Sequence, residues 1–368
     1  MTTRTPTEDL DPVVELAQRP PNGEVEESDT TRAPALGKRF FNLRTLISFA
    51  LGFAIMAFLF TRVQIDVGAI LDWVRQANPA LLVAAALAFY ATFPVRALRW
   101  KRLLGNVALT DRGRLGSAQR AASLPVAVLS EIIFLGWFAN CIVPAKLGDA
   151  YRAYLLKLNA GVSFSTTIGT ILAERIIDVV VLFLLMLAAT GLSFGRALPP
   201  EVLLLLQIGC ALVILVVIGL VSMRRLRPLV ERVLPNRLHA QYARFEHGTL
   251  GSFRGLPAVL VLTGLAWTGE VARLYLVTLS LGLGGISQSV IVFVALASAL
   301  MTTLPLTPAG LGFAEGAIVG VFLLAAKAGF APGVDEHAAA SIALLDRGIS
   351  YWSLIAVGLV AYPLSRRK

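Results

Sequence analysis

Glu174, Arg175 and Asp178 interrupt a long apolar stretch of the chain, and three ionisable groups within five residues demand a physical account. On a helix, positions 174 and 178 share a face and 175 and 178 are neighbours one turn apart. A charge at the centre of a bilayer costs about 2.5–3.5 kcal/mol on insertion scales. The three must therefore pair with one another, as an ionic lock in a helix bundle, or line a wet cavity. In a cavity, arginine is the natural bidentate partner of a phosphate, and the carboxylates would orient it or carry protons. The two uses are compatible if one carboxylate holds Arg175 in place.

A second signal is a five-residue pattern that occurs twice, Pro144-Ala145-Lys146-Leu147-Gly148 and Pro308-Ala309-Gly310-Leu311-Gly312, trailed by Asp149 and Glu315. Proline donates no backbone hydrogen bond and glycine weakens a helix, so each copy should break one. Broken backbone at membrane depth is tolerated only where protein or a water-filled cavity covers it. Paired breaks in two halves of a membrane protein point to a binding site between them; the plainer reading is a recurrent kink. Asn140, Lys146, Asp149 and Arg152 surround the first hinge. Lys146 and Arg152 could contact an anionic headgroup beside the helix N-terminus that follows Gly148, or be ordinary cytoplasmic charges. At the second hinge, Thr302, Thr303 and Thr307 supply hydroxyls that more often satisfy freed backbone groups. Glu315 is expected to pair with Arg347 or Arg273, or to be protonated, and Glu270 to pair locally with Arg273 three residues on.

The elements that position these groups follow from composition. Of 368 residues, 56% are hydrophobic and 15% charged, with a formal net charge of +10 and a mean hydropathy of +0.73. A soluble domain carries about 25% charged residues, so the chain is a polytopic membrane protein. Residues 1–37 hold eight acidic residues against Arg4, Arg19 and Arg32 and read as a disordered acidic cytoplasmic tail. Residues 38–368 read as the membrane domain. Spans are expected near 43–61, 78–95, 165–193, 201–222, 256–281 and 338–361. Broken pairs, re-entrant or complete, are expected at 123–158 and 287–329. Arginines after the second span, at 223–255 and at the C-terminus put both termini in the cytoplasm. Leu226, Leu229, Val230 and Val233 alternate with arginines in an interfacial basic helix or a partner-docking one. The charges sit in short loops, which argues against nucleic acid. Cys141 and Cys210 suggest no disulfide framework, and His239, His247 and His337 have no metal-ligand spacing.

Aligned in order, Val95-Arg96-Ala97-Leu98-Arg99-Trp100 resembles Val271-Ala272-Arg273-Leu274-Tyr275; the hinges follow, then Arg175 beside Asp178 and Arg347 beside Asp346. The halves, about 78–193 and 256–361, begin on opposite sides of the membrane. The expected fold is therefore all-α, an inverted repeat with two Pro/Gly-broken helix pairs, its site near the midplane.

The series Asn140-x-x-x-Pro144-x-Lys146-x-Gly148-Asp149-x-x-Arg152, Glu174-Arg175-x-x-Asp178, Pro305-x-Thr307-Pro308-x-Gly310-x-Gly312-x-x-Glu315 and Arg347 resembles the lysylphosphatidylglycerol synthase transmembrane region family, over about residues 40–362. Lys146 and Asp149 stand where arginine and glutamate are expected. The resemblance implies a flippase-like domain of the bacterial inner membrane that moves an anionic lipid or lipid-linked intermediate between leaflets. Arg96, Arg152, Arg175, Arg273 and Arg347 would neutralise its phosphate, with Asp149, Glu174, Asp178 and Glu315 orienting them. The synthases of that family carry a large soluble domain after the membrane region, so lipid aminoacylation by residues 1–368 alone is not expected, and no cofactor is implied. The alternatives are a membrane-embedded lipid-phosphate transferase with Asp149, Glu174 or Asp178 as base, and an accessory subunit whose tail or 224–254 segment docks a cytoplasmic partner.

Overall fold

The computed structural model describes residues 43–62, 66–110, 116–143, 146–194, 200–303 and 307–367. Residues 1–37, Pro144 and Pro305 lie outside that set, and so do the expectations placed on them. All regular structure among the described residues is helical. In chain order the helices are α1 (Leu43–Arg62), α2 (Val67–Gln76), α3 (Pro79–Thr110), α4 (Gly116–Ser123), α5 (Val126–Ile142), α6 (Leu147–Ala160) and α7 (Phe164–Phe194). They continue with α8 (Pro200–Val233), α9 (Asn236–Gly251), α10 (Leu256–Ser280), α11 (Gln288–Thr303), α12 (Phe313–Lys327), α13 (Glu336–Arg347) and α14 (Ser353–Leu364). A 3₁₀ turn (Pro308–Gly310) precedes α12, and a π turn (Gly348–Trp352) joins α13 to α14.

Local chemistry sets several of these boundaries. Asp66 and Asp335 cap α2 and α13 by accepting from the amides of Gly68 (2.8 Å) and Ala338 (2.7 Å). Such side-chain oxygens replace the missing partners of a first helical turn. Gly161, at φ 67, ends α6 in the left-handed conformation that glycine adopts without penalty. Among the described residues, five helical stretches are long and apolar enough to cross a membrane, and the pair Ser117–Ser123 and Val126–Ile142, bent by 99°, makes a sixth if counted as one span. The sequence placed one break in this region, at Pro144; the chain also bends sharply before Pro125.

Two expected span ends are corrected. The second span does not stop at 95. α3 runs 32 residues, about 48 Å at 1.5 Å per residue, well beyond a hydrocarbon core of roughly 30 Å. Arg96 and Arg99, read as loop charges marking a cytoplasmic end, are therefore mid-helix and buried. Likewise α8 continues past 222 through Arg224, Arg225, Arg227 and Arg232 to Val233, because arginine is a good helix former. Arg227 pairs with Glu231 one turn on, at 2.9 Å.

Packing sets the scaffold. α3 and α10, the segments aligned in sequence, lie along each other, α5 packs on α6, and α11 packs on α12 and α7. One apolar core centres on α3, α5 and α6, and a second on α10 to α13. α9 meets α7 at two glycines: a Cβ at Gly169 would lie 2.3 Å from the Phe245 carbonyl oxygen, and one at Gly248 2.2 Å from that of Thr166. The 224–254 segment is thus partly consumed in packing within the chain.

Candidate functional site

Between α3, α5, α7, α10, α11, α13 and the two hinges lies a chamber of about 310 Å³. Its charged wall is formed by Arg96, Lys146, Arg175, Asp178, Glu270, Arg273, Asp346 and Arg347. Phe89, Val179, Leu182, Ala295, Ala299 and Leu354 complete an apolar side. The sequence-predicted residues Asn140 and Thr307 also face it, whereas Arg152, Glu174, Asp149 and Glu315 stand behind the wall as partners of wall residues or of one another.

Each arginine is fixed by geometry that crosses between helices. Arg99 donates to Asp178 at 2.5 Å, Glu174 at 2.9 Å and the Thr263 hydroxyl at 3.1 Å. Arg152 grips Glu174 with two bonds, at 2.7 and 3.2 Å, its guanidinium 3.7 Å from the centre of the Trp100 ring. Arg96 donates to Glu270 at 2.9 Å and lies over the rings of Trp137 and Trp267. Arg273 binds Asp346 at 2.8 Å and also Glu270. Removing one partner of a buried pair typically costs about 3–5 kcal/mol, because the other charge is left uncompensated.

The pairings differ from the sequence neighbours. Arg175 pairs with Asp149 at 3.0 Å, with Asp178 farther off at 3.8 Å. Arg347 pairs with Glu315 at 2.9 Å and donates to the Ala309 carbonyl at 3.0 Å, while its neighbour Asp346 goes to Arg273. The two hinges thus share one scheme: an acid just after the break holds an arginine on the next helix. Asn140 stitches the first hinge, accepting from the Gly148 amide at 2.8 Å. Gly148 is required there, because a Cβ would fall 2.0 Å from the Gly136 carbonyl oxygen. At the second hinge Glu315 accepts from the Gly312 amide at 2.7 Å, and Gly310 and Gly312 take φ values of 73° and 87°.

Around the chamber stand seven cations (Arg96, Arg99, Lys146, Arg152, Arg175, Arg273, Arg347) and six carboxylates (Asp149, Glu174, Asp178, Glu270, Glu315, Asp346). All six acids are engaged with arginines; the odd cation is Lys146, whose ammonium has no ion-pair partner among the described residues. Lys146 also holds a left-handed φ of 54°, a conformation that costs a non-glycine residue about 1–2 kcal/mol. Buried polar atoms without a partner cluster on the same wall: Arg96 Nε, Trp267 Nε1 and Thr307 Oγ1. Such groups are expensive unless something supplies acceptors. No group of three or more potential metal ligands occurs among the described residues.

Arg99, Glu270 and Asp346 are central here and were not singled out as site residues from sequence. The i, i+3 spacing of Arg96 with Arg99 and of Glu270 with Arg273, each within an apolar stretch, was the available signal.

A family model described as the lysylphosphatidylglycerol synthase TM region matches residues 46–358. A UPF0104 membrane protein of Methanocaldococcus jannaschii is 32% identical over 231 residues, 62% of this chain and 95% of that protein. A second, from Pyrococcus horikoshii, is 23% identical over 324 residues, 79% of this chain and 89% of its own length. A Haloferax volcanii protein named glycosyltransferase AglD is 28% identical over 361 residues, 88% of this chain but 54% of that protein. No solved structure matches.

Proposed function

This chain belongs to the lysylphosphatidylglycerol synthase TM region family of multi-pass membrane proteins, and from that premise we propose that its chamber binds the phosphate-bearing headgroup of an anionic lipid and aids its passage between leaflets. The observation that carries the reading is the charge count around the chamber. Seven cations face six carboxylates, and the surplus ammonium of Lys146 is aimed at the chamber with no partner. A phosphodiester brings one negative charge and several acceptor oxygens, which answers the surplus. The apolar side of the chamber suits the remainder of an amphiphile. The two hinges supply unwound backbone on either side of it, as in transporters with a midplane site. The arginines at 224–254 and at Arg366 and Arg367 support cytoplasmic termini.

A lipid-phosphate transferase fits less well. Each carboxylate on the chamber wall, Asp178, Glu270 and Asp346, is already held by a guanidinium, so none stands free to act as a base.

The test is leaflet exchange of fluorescent phosphatidylglycerol in liposomes holding the purified protein. The expected outcome is exchange above protein-free liposomes that falls at least tenfold in Lys146→Ala. Absence of exchange with the folded wild-type protein would overturn translocation, and full exchange in Lys146→Ala would remove the site from Lys146.

A further inference from the structure

We infer that the chamber opens sideways into the lipid between α7 and α11, beneath α8, and that the apolar chain of the bound lipid lies in this opening while its headgroup stays in the chamber. The inference rests on the lipid-binding reading above and adds the path by which a lipid enters. Val179 and Leu182 line the chamber and also line a crevice that leads away from it, closed by Gly209 and Leu212 of α8 against Leu296 and Leu300 of α11. The chamber and the crevice thus share a stretch of α7 as a common wall. Its lining carries no charged side chain, so it suits a hydrocarbon chain and would reject a phosphate.

In the conformation described, the crevice measures about 10 Å³, room for about one water molecule. A chain enters only if α8 moves outward, and α8 is the element built to move. Of its apolar window 11% is buried, against 33–50% for the other four long spans. Its principal packing is on α7 and α9. Elements with few buried contacts open most easily. At the crevice α8 sits flush on α7, because a Cβ at Gly209 would lie 2.8 Å from the Phe183 ring. Displacing α8 in a bilayer exchanges these side-chain contacts for lipid contacts of similar character, so the step has little hydrophobic penalty.

The geometry divides the ligand between two environments. The headgroup needs the charged wall, where the Arg175 side chain is 27% exposed. The chain needs the gap under α8. A water-soluble headgroup needs only the first.

The experiment cross-links the gap shut. Leu212→Cys and Leu300→Cys are introduced together with Cys141→Ala and Cys210→Ala, and a short bis-methanethiosulfonate reagent joins the new thiols reversibly. Binding of phosphatidylglycerol and of water-soluble glycerophosphoglycerol is measured in detergent before cross-linking, after it, and after reduction. The expected result is at least a tenfold loss of phosphatidylglycerol affinity on cross-linking, restored by reductant, with glycerophosphoglycerol changed less than twofold. Recovery on reduction shows that the fold is intact. Unchanged phosphatidylglycerol binding in the cross-linked protein overturns the side opening and leaves the chamber reading standing. Failure of the uncross-linked protein to bind either probe overturns both.

Discussion

The two hinges repeat one design with one exchange. In each, an acid after the break holds an arginine on the next helix: Asp149 with Arg175, Glu315 with Arg347. In each, the third residue of the five is left-handed, Lys146 at φ 54° and Gly310 at φ 73°. The second hinge has glycine at this position, with its left-handed non-glycine residue one place earlier at Ala309 (φ 45°), and is sealed, the Arg347 and Glu315 side chains being 7% and 11% exposed. The first accepts strain to place an ammonium at the same position, and its ion pair is more open, at 27% and 14%. On the proposed reading, the second hinge is structural and the first meets the ligand.

Substitutions at matched positions test that difference. Glu315→Ala should have the largest effect, leaving Arg347 buried and uncompensated at a cost of about 3–5 kcal/mol in denaturant unfolding of the detergent-solubilised protein. A loss below that of Asp149→Ala would reverse the assignment of the sealed hinge. Gly310→Ala comes next: its Cβ would lie 2.8 Å from Thr302 Cα, and with the left-handed penalty the expected loss is about 2 kcal/mol. Lys146→Gly should move two readouts in opposite directions. Relief of the left-handed strain, less the entropy of a free glycine, raises stability by about 1 kcal/mol, while glycerophosphoglycerol binding falls at least tenfold. A variant that is both less stable and fully able to bind would leave Lys146 an ordinary hinge residue. Asp149→Ala should be mildest, about 0.5–1 kcal/mol for a partly exposed pair, and smaller still at high salt; a salt-independent loss would mean that the first hinge is as dry as the second.

Much of this was legible in the residues, for reasons of period and chemistry. Long apolar runs, the doubled Pro-Ala-x-Leu-Gly pattern and intramembrane charges are local features, and the helices, the breaks at both hinges and the clustering of Arg175, Arg347 and Glu315 follow from them. Pairing was legible in part: Glu315 with Arg347 and Glu270 with Arg273 were expected and are found, but the remaining pairs depend on which helices touch. Asp178 and Asp346 lie beside arginines in sequence but bond to Arg99 on α3 and Arg273 on α10. The extent of α3 was misjudged for a related reason. A basic run after a span resembles a loop until partners on α7 and α10 are known to neutralise it. The orientation of the aligned halves is a property of the whole assembly and stays within the proposed reading.

The glycine contact between α7 and α9 has a mechanical consequence. With no Cβ at Gly169 or Gly248, the two backbones bear directly on each other and neither slides without collision. α8 follows α7 in the chain and leads into α9, so it is attached at both ends to a single rigid body, like the handle of a jug. Under the proposed side opening, such a handle would swing away from the wall at its middle, where Gly209 and Leu212 lie, while its two ends stay with α7 and α9.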